Sequence, residues 1–212
     1  LPGSNKTELT LMMGSEKPVS TEAVEIQGTP YTKEVYADKN LYFNANGQLA
    51  VIEVTKPVYA DALEKAIAAY QKAYDLDASH AKSKDIAAAF DLIGQKYNTE
   101  AYNKYTLGDL ASASKYFEKA AEVEALAPLS KIDTTSIYNA GFTAWATKDM
   151  SKAKELFEKC YNLGYYYEGG EVFAKLADVD TLNTKKYLEE GFEKFPQSQS
   201  ILIGLINYYL KS

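Results

Sequence analysis

The chain has 212 residues, 46% of them hydrophobic, which is enough to bury a continuous core in one large or two small domains and excludes disorder along its whole length. All 23 basic residues are lysines and the formal charge is −6; with no guanidinium forks to read bases or grip phosphates, nucleic acid is not the expected partner. A single cysteine, Cys160, and a single histidine, His80, exclude an intrachain disulfide and a His/Cys zinc site, while a carboxylate cation site is not excluded by counting.

No run of about 18 apolar residues occurs, so no transmembrane helix is predicted. The chain begins at Leu1 rather than Met, without a basic start followed by an apolar stretch, which leaves open a removed leader or a start inside a longer gene. Residues 1–56 hold Pro2, Pro18 and Pro30 and short β-prone stretches, Val24-Glu25-Ile26 and Glu34-Val35-Tyr36. The clearest local signal is Asn46-Gly47 between the aromatic run Leu41-Tyr42-Phe43 and the β-branched run Val51-Ile52-Glu53-Val54. Asn-Gly tolerates the positive φ angles of a tight turn, which predicts a hairpin over about 40–54. A lone hairpin is marginal in water, so it should lean on the rest of the chain or pair with the 24–36 stretches. Such a segment serves as a structural flap or insertion, or as a partner-binding edge.

From Pro57 onward the period becomes helical. Pro57 suits a first turn, and Tyr59, Leu63, Ile67, Tyr70 and Tyr74 follow at steps of three and four. Ile86, Phe90, Ile93, Tyr97, Ala101 and Tyr105 continue the pattern. Their phase survives Gly94, so one long helix over about 80–106 is predicted despite the roughly 1 kcal/mol that an interior glycine costs.

A longer period overlies these helices. Beyond Gly108 come Ala113, Phe117 and Ala120; beyond Lys148, at the same offsets, come Ala153, Phe157 and Cys160. Ala66, Tyr70 and Ala73 share the internal steps, as do Thr184, Leu188 and Gly191. Ala101 and Gly141 stand at equal distances before Gly108 and Lys148. Small residues at these places let paired helices approach, and the aromatic between them fills the groove.

This pattern resembles the tetratricopeptide repeat, a helix-turn-helix unit of about 34 residues. The resemblance covers residues 57–212, in units near 57–77 (partial), 94–127, 134–167, 165–198 and 199–212 (truncated). The third full unit departs from the pattern, with Val179 at the turn glycine and Thr184 at the first small position. The apolar run 201–209 looks like a first helix lacking its mate, as in a cap or a chain that continues past Ser212. The resemblance implies an all-α fold, a right-handed helical solenoid, carrying a small N-terminal β-hairpin insertion. It also implies protein or peptide partners and no cofactor. The Lys- and Tyr-rich style with a β insertion resembles exported or envelope-associated tetratricopeptide proteins of Bacteroidetes, which implies a periplasmic or envelope location and leaves a cytoplasmic one open.

The residues themselves offer no catalytic constellation. His80 lies in Asp77-Ala78-Ser79-His80, a turn or cap, and Cys160 occupies a small packing position. No phosphate loop occurs, and Gly169-Gly170 reads as a turn between units. The carboxylates Glu189, Glu190, Asp178 and Asp180 read as a solvated face. A non-enzyme is therefore expected, with no metal site.

In the family the first helix of each unit lines the concave surface. Carrying those positions over gives the candidate groove residues Asn98, Tyr102, Tyr105, Tyr138, Phe142, Trp145 and Phe173, a set rich in the aromatic types that anchor interfaces. The polar clamp by which some family members hold a terminal carboxylate is not matched, because Tyr102 and Phe142 stand in its places. The aromatics have two readings: they hold an extended or helical apolar segment, or they pack one unit on the next. At the level of the whole chain the readings are an interaction scaffold, a structural component that self-associates through its terminal repeat, or a carrier of carbohydrate or another small ligand.

Overall fold

The computed structural model describes residues 3–13, 16–57 and 61–211; Leu1, Pro2, Tyr59 and Ser212 lie outside them. A short helix, α1 (Lys6–Met13), leads into strands β1 (Ser20–Ile26), β2 (Thr29–Val35), β3 (Lys39–Phe43) and β4 (Leu49–Val54), which pair in chain order as an antiparallel meander. The sheet thus extends a hairpin of β3 and β4 by two further strands. Ile26 pairs with Thr29 across Gln27 (φ 52) and Gly28 (φ 77), the two positive φ angles that a two-residue hairpin turn demands.

The β3–β4 connection differs from the tight turn that Asn46-Gly47 predicts. It is a longer loop in which Gly47 (φ 72) adopts a positive φ and the Asn44 Oδ1 accepts from the backbone N–H groups of Asn46 and Gln48, both at 3.0 Å. The side chain adds to the loop's own backbone bonds, from Gly47 N–H to the Asn44 carbonyl and from Asn44 N–H to the Gln48 carbonyl, both at 2.9 Å. Leu41, Phe43 and Leu49 pack with Tyr36 and with Leu9 of α1, so the helix covers one face of the sheet. Among the described residues, Asn103 Nδ2 donates to the Ile52 carbonyl at 3.1 Å and Gln27 Nε2 donates to the Tyr105 carbonyl at 2.9 Å, tying the sheet to the helical body.

The helical body comprises α2 (Ala62–Leu76), α3 (Ser83–Thr106), α4 (Leu110–Glu124), α5 (Thr134–Ala146), α6 (Met150–Asn162), α7 (Glu171–Val179), α8 (Thr184–Lys194) and α9 (Gln199–Lys211), each packed on the next from α2 onward. Pro57 lies outside α2, which starts only after Asp61 in the left-handed region (φ 58). The helix is loosely held: none of its residues is fully buried, and Leu63, Ile67 and Tyr74 lean on Ile86, Phe90, Ile93 and Tyr97.

Helices α4, α5 and α6 each begin on a capping aspartate. Asp109, Asp133 and Asp149 cap α4, α5 and α6, their carboxylates accepting from the N–H of Ser112, Ser136 and Lys152 at 3.1, 3.0 and 3.1 Å. Gly108 (φ 81) and Lys148 (φ 68) take the left-handed conformation that ends the preceding helix. Ala113, Phe117, Ala120, Ala153, Phe157 and Cys160 are all 2% exposed or less, so the small–large–small positions form the seam between helices. A Cβ on Gly141 would stand 3.0 Å from the Phe157 ring, which is why the first helix is small opposite the aromatic.

The third unit is displaced from its predicted register. Residues 165–167 do not begin a helix: Tyr167 (φ 57), Gly169 (φ 61) and Gly170 (φ 77) interrupt the chain around a 3-10 turn (Glu168–Gly170), and α7 begins at Glu171. Phe173, Leu176 and Ala177 of α7 are buried as Ala140, Thr143 and Ala144 of α5 are, so Phe173 corresponds to Ala140 and not to Phe142. None of the described helices is long and apolar enough to cross a membrane.

Candidate functional site

Tyr102 and Tyr105 stand one turn apart on α3, and Tyr138 and Phe142 one turn apart on α5, so each pair projects from one face. With Phe117 of α4, Asn139 and Thr143 of α5, and Tyr167, they line a cleft of about 300 Å³. Phe117 (2% exposed) and Tyr138 (5%) make its floor, while Tyr102 (52%) and Tyr105 (38%) remain open to solvent. The walls are braced. The Tyr102 ring meets Phe117 edge-on at 5.0 Å, and its hydroxyl accepts from Asn139 Nδ2 at 3.1 Å.

Tyr167 closes the other side, stacked on Tyr138 at 4.0 Å with the planes 10° apart. Its backbone (φ 57, ψ 176) lies in a region that essentially only glycine occupies, so the stacking holds a strained residue in place. Burial pushes the Tyr138 hydroxyl well above the ordinary tyrosine range, and the floor of the cleft stays uncharged.

Beyond Phe142 the groove changes character. Trp145 Nε1 donates to Asp178 Oδ2 at 2.6 Å, which fixes the indole plane across α5 and α7. The Lys175 ammonium lies 3.4 Å from the Trp145 ring centroid and 5.5 Å from that of Phe142, and Lys148 approaches the same indole at 5.6 Å. Burial lowers the Lys175 pKa from the usual lysine value.

Five of the seven candidate residues therefore border one surface: Tyr102, Tyr105, Tyr138 and Phe142 line the cleft, and Trp145 extends it. Two do not belong. Asn98 accepts from Ser136 Oγ at 2.7 Å and donates to Asp133 at 3.4 Å, binding α3 to the cap of α5 instead of facing the cleft. Phe173 is fully buried among Tyr161, Tyr166 and Phe195, a consequence of the shifted third unit.

Asn139, Thr143, Tyr167, Lys175 and Asp178 are the residues that spacing missed. Counting back from the end of α7 instead of forward from residue 165 would have found Lys175 and Asp178, which take the places of Phe142 and Trp145. Tyr167 carried no signal beyond the glycines after it.

The reading of the carboxylates Asp178, Asp180, Glu189 and Glu190 as a solvated face holds for Asp178 and Glu189, which are exposed, and fails at Asp180. Asp180 is 3% exposed, paired with Lys154 at 3.1 Å and accepting from Asn183 at 2.8 Å. Asp178 anchors Trp145, and Glu189 and Glu190 accept from the hydroxyls of Tyr209 and Tyr161 at 2.6 and 2.7 Å. Burial pushes the Cys160 thiol up to about 12, and His80 sits in an exposed turn with its ring 4.9 Å from that of Tyr74. Among the described residues no three His, Cys, Asp or Glu side chains are grouped as a metal site requires.

Residues 134–163, which span α5 and α6, match the tetratricopeptide repeat family. The chain carries a tetratricopeptide repeat. The matched unit contributes the cleft floor at Tyr138, the wall at Phe142 and the Trp145 extension, and its second helix holds the Phe157 and Cys160 seam beneath them. Tetratricopeptide repeats generally mediate contacts between proteins and are typically not catalytic. None of the curated proteins matches the chain.

Proposed function

We propose that this tetratricopeptide repeat protein is a non-catalytic interaction module, its repeats wound as a right-handed solenoid, that holds a peptide or protein segment along Tyr102, Tyr105, Tyr138, Phe142 and Trp145. Residues 1–56 act in this reading as a β-rich flap beside a repeat domain spanning 57–212. The observation that carries the proposal is an aromatic cleft whose walls are half open to solvent yet already fixed by Asn139 and Asp178. Rings immobilised in advance bury apolar area on binding with little further loss of freedom. Packing between repeats does not require Tyr102 to stand 52% exposed above a closed floor, which favours binding over packing.

The test is enrichment of displayed random peptides on the full chain, repeated on a Tyr102→Ala, Phe142→Ala double variant whose circular dichroism and melting match the parent. Peptides retained by the parent and lost by the variant support the proposal; no enrichment on the parent, or equal retention by both, overturns it.

A second reading, self-association through the terminal helix, is favoured by α9, where Ile203 (58%), Ile206 (57%) and Leu210 (81%) leave one exposed apolar stripe. Light scattering that returns a monomer at every concentration removes it.

A further inference from the structure

Lys175 differs from the lysines that stabilise the body of the chain. Lys131, Lys152 and Lys154 each sit within 4.0 Å of a carboxylate, whereas Lys175, among the described residues, forms no ion pair. Lys175 is half-buried and its ammonium lies against the rings of Trp145 and Phe142, which attract a cation but accept no conventional hydrogen bond. Two carboxylates, Glu171 and Asp178, bear on it through their charge without forming an ion pair with it, and each accepts a bond from another side chain. Asp178 accepts from Trp145, and Glu171 accepts from Ser200 Oγ at 2.6 Å. Three N–H donors are thus held at the edge of an aromatic cleft, with Lys148 5.6 Å from the same indole adding a second positive charge.

From this juxtaposition we infer that the groove selects segments in which an acidic side chain follows an apolar anchor, the anchor entering the Tyr102–Tyr138–Phe142 cleft and the carboxylate pairing with Lys175. The inference deepens the peptide-binding proposal and rests on it. A side-chain carboxylate fits better than a chain end. A terminal carboxylate calls for several converging donors, and Lys175 is a point charge. The surface also runs on past it, since Asp178 borders a further cleft of about 620 Å³ between α7 and α9, so an occupant has room to continue.

Trp145 is the only tryptophan and lies against Lys175, so its fluorescence reports the site directly. Peptides enriched on the parent chain are synthesised with acetylated and amidated ends and titrated as Glu/Gln pairs at low and high salt. The expected result is an apolar-acidic consensus, a roughly tenfold loss on Glu→Gln as for a charge-assisted contact, and weakening by salt. Lys175→Met should bring the Glu/Gln ratio to about one, and Lys175→Arg should keep it above one.

Enriched peptides with no acidic bias, tolerance of Glu→Gln, or binding that needs a free terminal carboxylate would overturn the inference while the groove proposal stands. No enriched peptide at all removes the groove proposal and this inference with it. If Lys175→Met does not fold, the Glu/Gln comparison on the parent and on Lys175→Arg decides.

Discussion

Replacing Gly191 by alanine sets two effects of opposite sign against each other. In the interior of α8 the substitution gains about 1 kcal/mol of helix propensity. The new Cβ, however, would stand 2.8 Å from the Phe173 Cβ and 2.9 Å from the Ile201 Cδ1, and both neighbours are fully buried. A Cβ is rigidly attached to its backbone, so Phe173 can yield only if α7 shifts, and overpacking of this kind costs about 1–3 kcal/mol. The net expectation is a loss of up to about 2 kcal/mol, which for a chain of this length lowers the melting temperature by roughly 4–8 °C at most. Thermal melting followed by circular dichroism measures it, with Gly191→Val as a larger step in the same direction. A Gly191→Ala variant more stable than the parent by about 1 kcal/mol would mean propensity acting unopposed. The close approach of α7, α8 and α9 would then be refuted.

Two further outcomes follow from buried and paired groups. Cys160 is fully enclosed with its thiol pushed up to about 12, so a thiol reagent should leave the native chain unlabelled and react once it is unfolded; labelling at the native rate of a free thiol would contradict the seam. Glu64 is held below the usual carboxylate range chiefly by its bond from Lys119, so the folded state binds fewer protons there than the unfolded one. Its contribution is present above the unfolded value near 4.3 and is lost as pH falls through the lower folded value. Melting temperature should therefore drop less between about pH 5 and about pH 3 in Glu64→Gln than in the parent, and an equal drop would show that the pair carries no linkage.

What could be read from the residues was what depends on neighbours along the chain. The spacing of Ala113, Phe117 and Ala120, repeated at Ala153, Phe157 and Cys160, marks a helix seam because side chains three and four apart share a face whatever lies beyond them. The sheet was only half legible: Asn46-Gly47 announces a turn, but Gln27-Gly28 does so more quietly, and nothing local reveals that α1 lies over Leu41 and Phe43. The third unit is illegible in register because Tyr165-Tyr166-Tyr167 looks able to continue a helix and does not. A register continued through it puts Phe173 on the surface and hides Lys175 and Asp178. Asn98 had the right position and the wrong task, since its partners Ser136 and Asp133 lie far away in sequence.

The lost first turn of α7 bears on how a ligand would be placed. Identical units stacked without interruption present equivalent footholds, and a bound strand can slip from one to the next at no penalty. Here the break admits Tyr167 beside Tyr138 at a single step, followed by Lys175 over Trp145. A segment lying along the helices would meet that combination once, so the defect in periodicity supplies the landmark that a uniform array lacks.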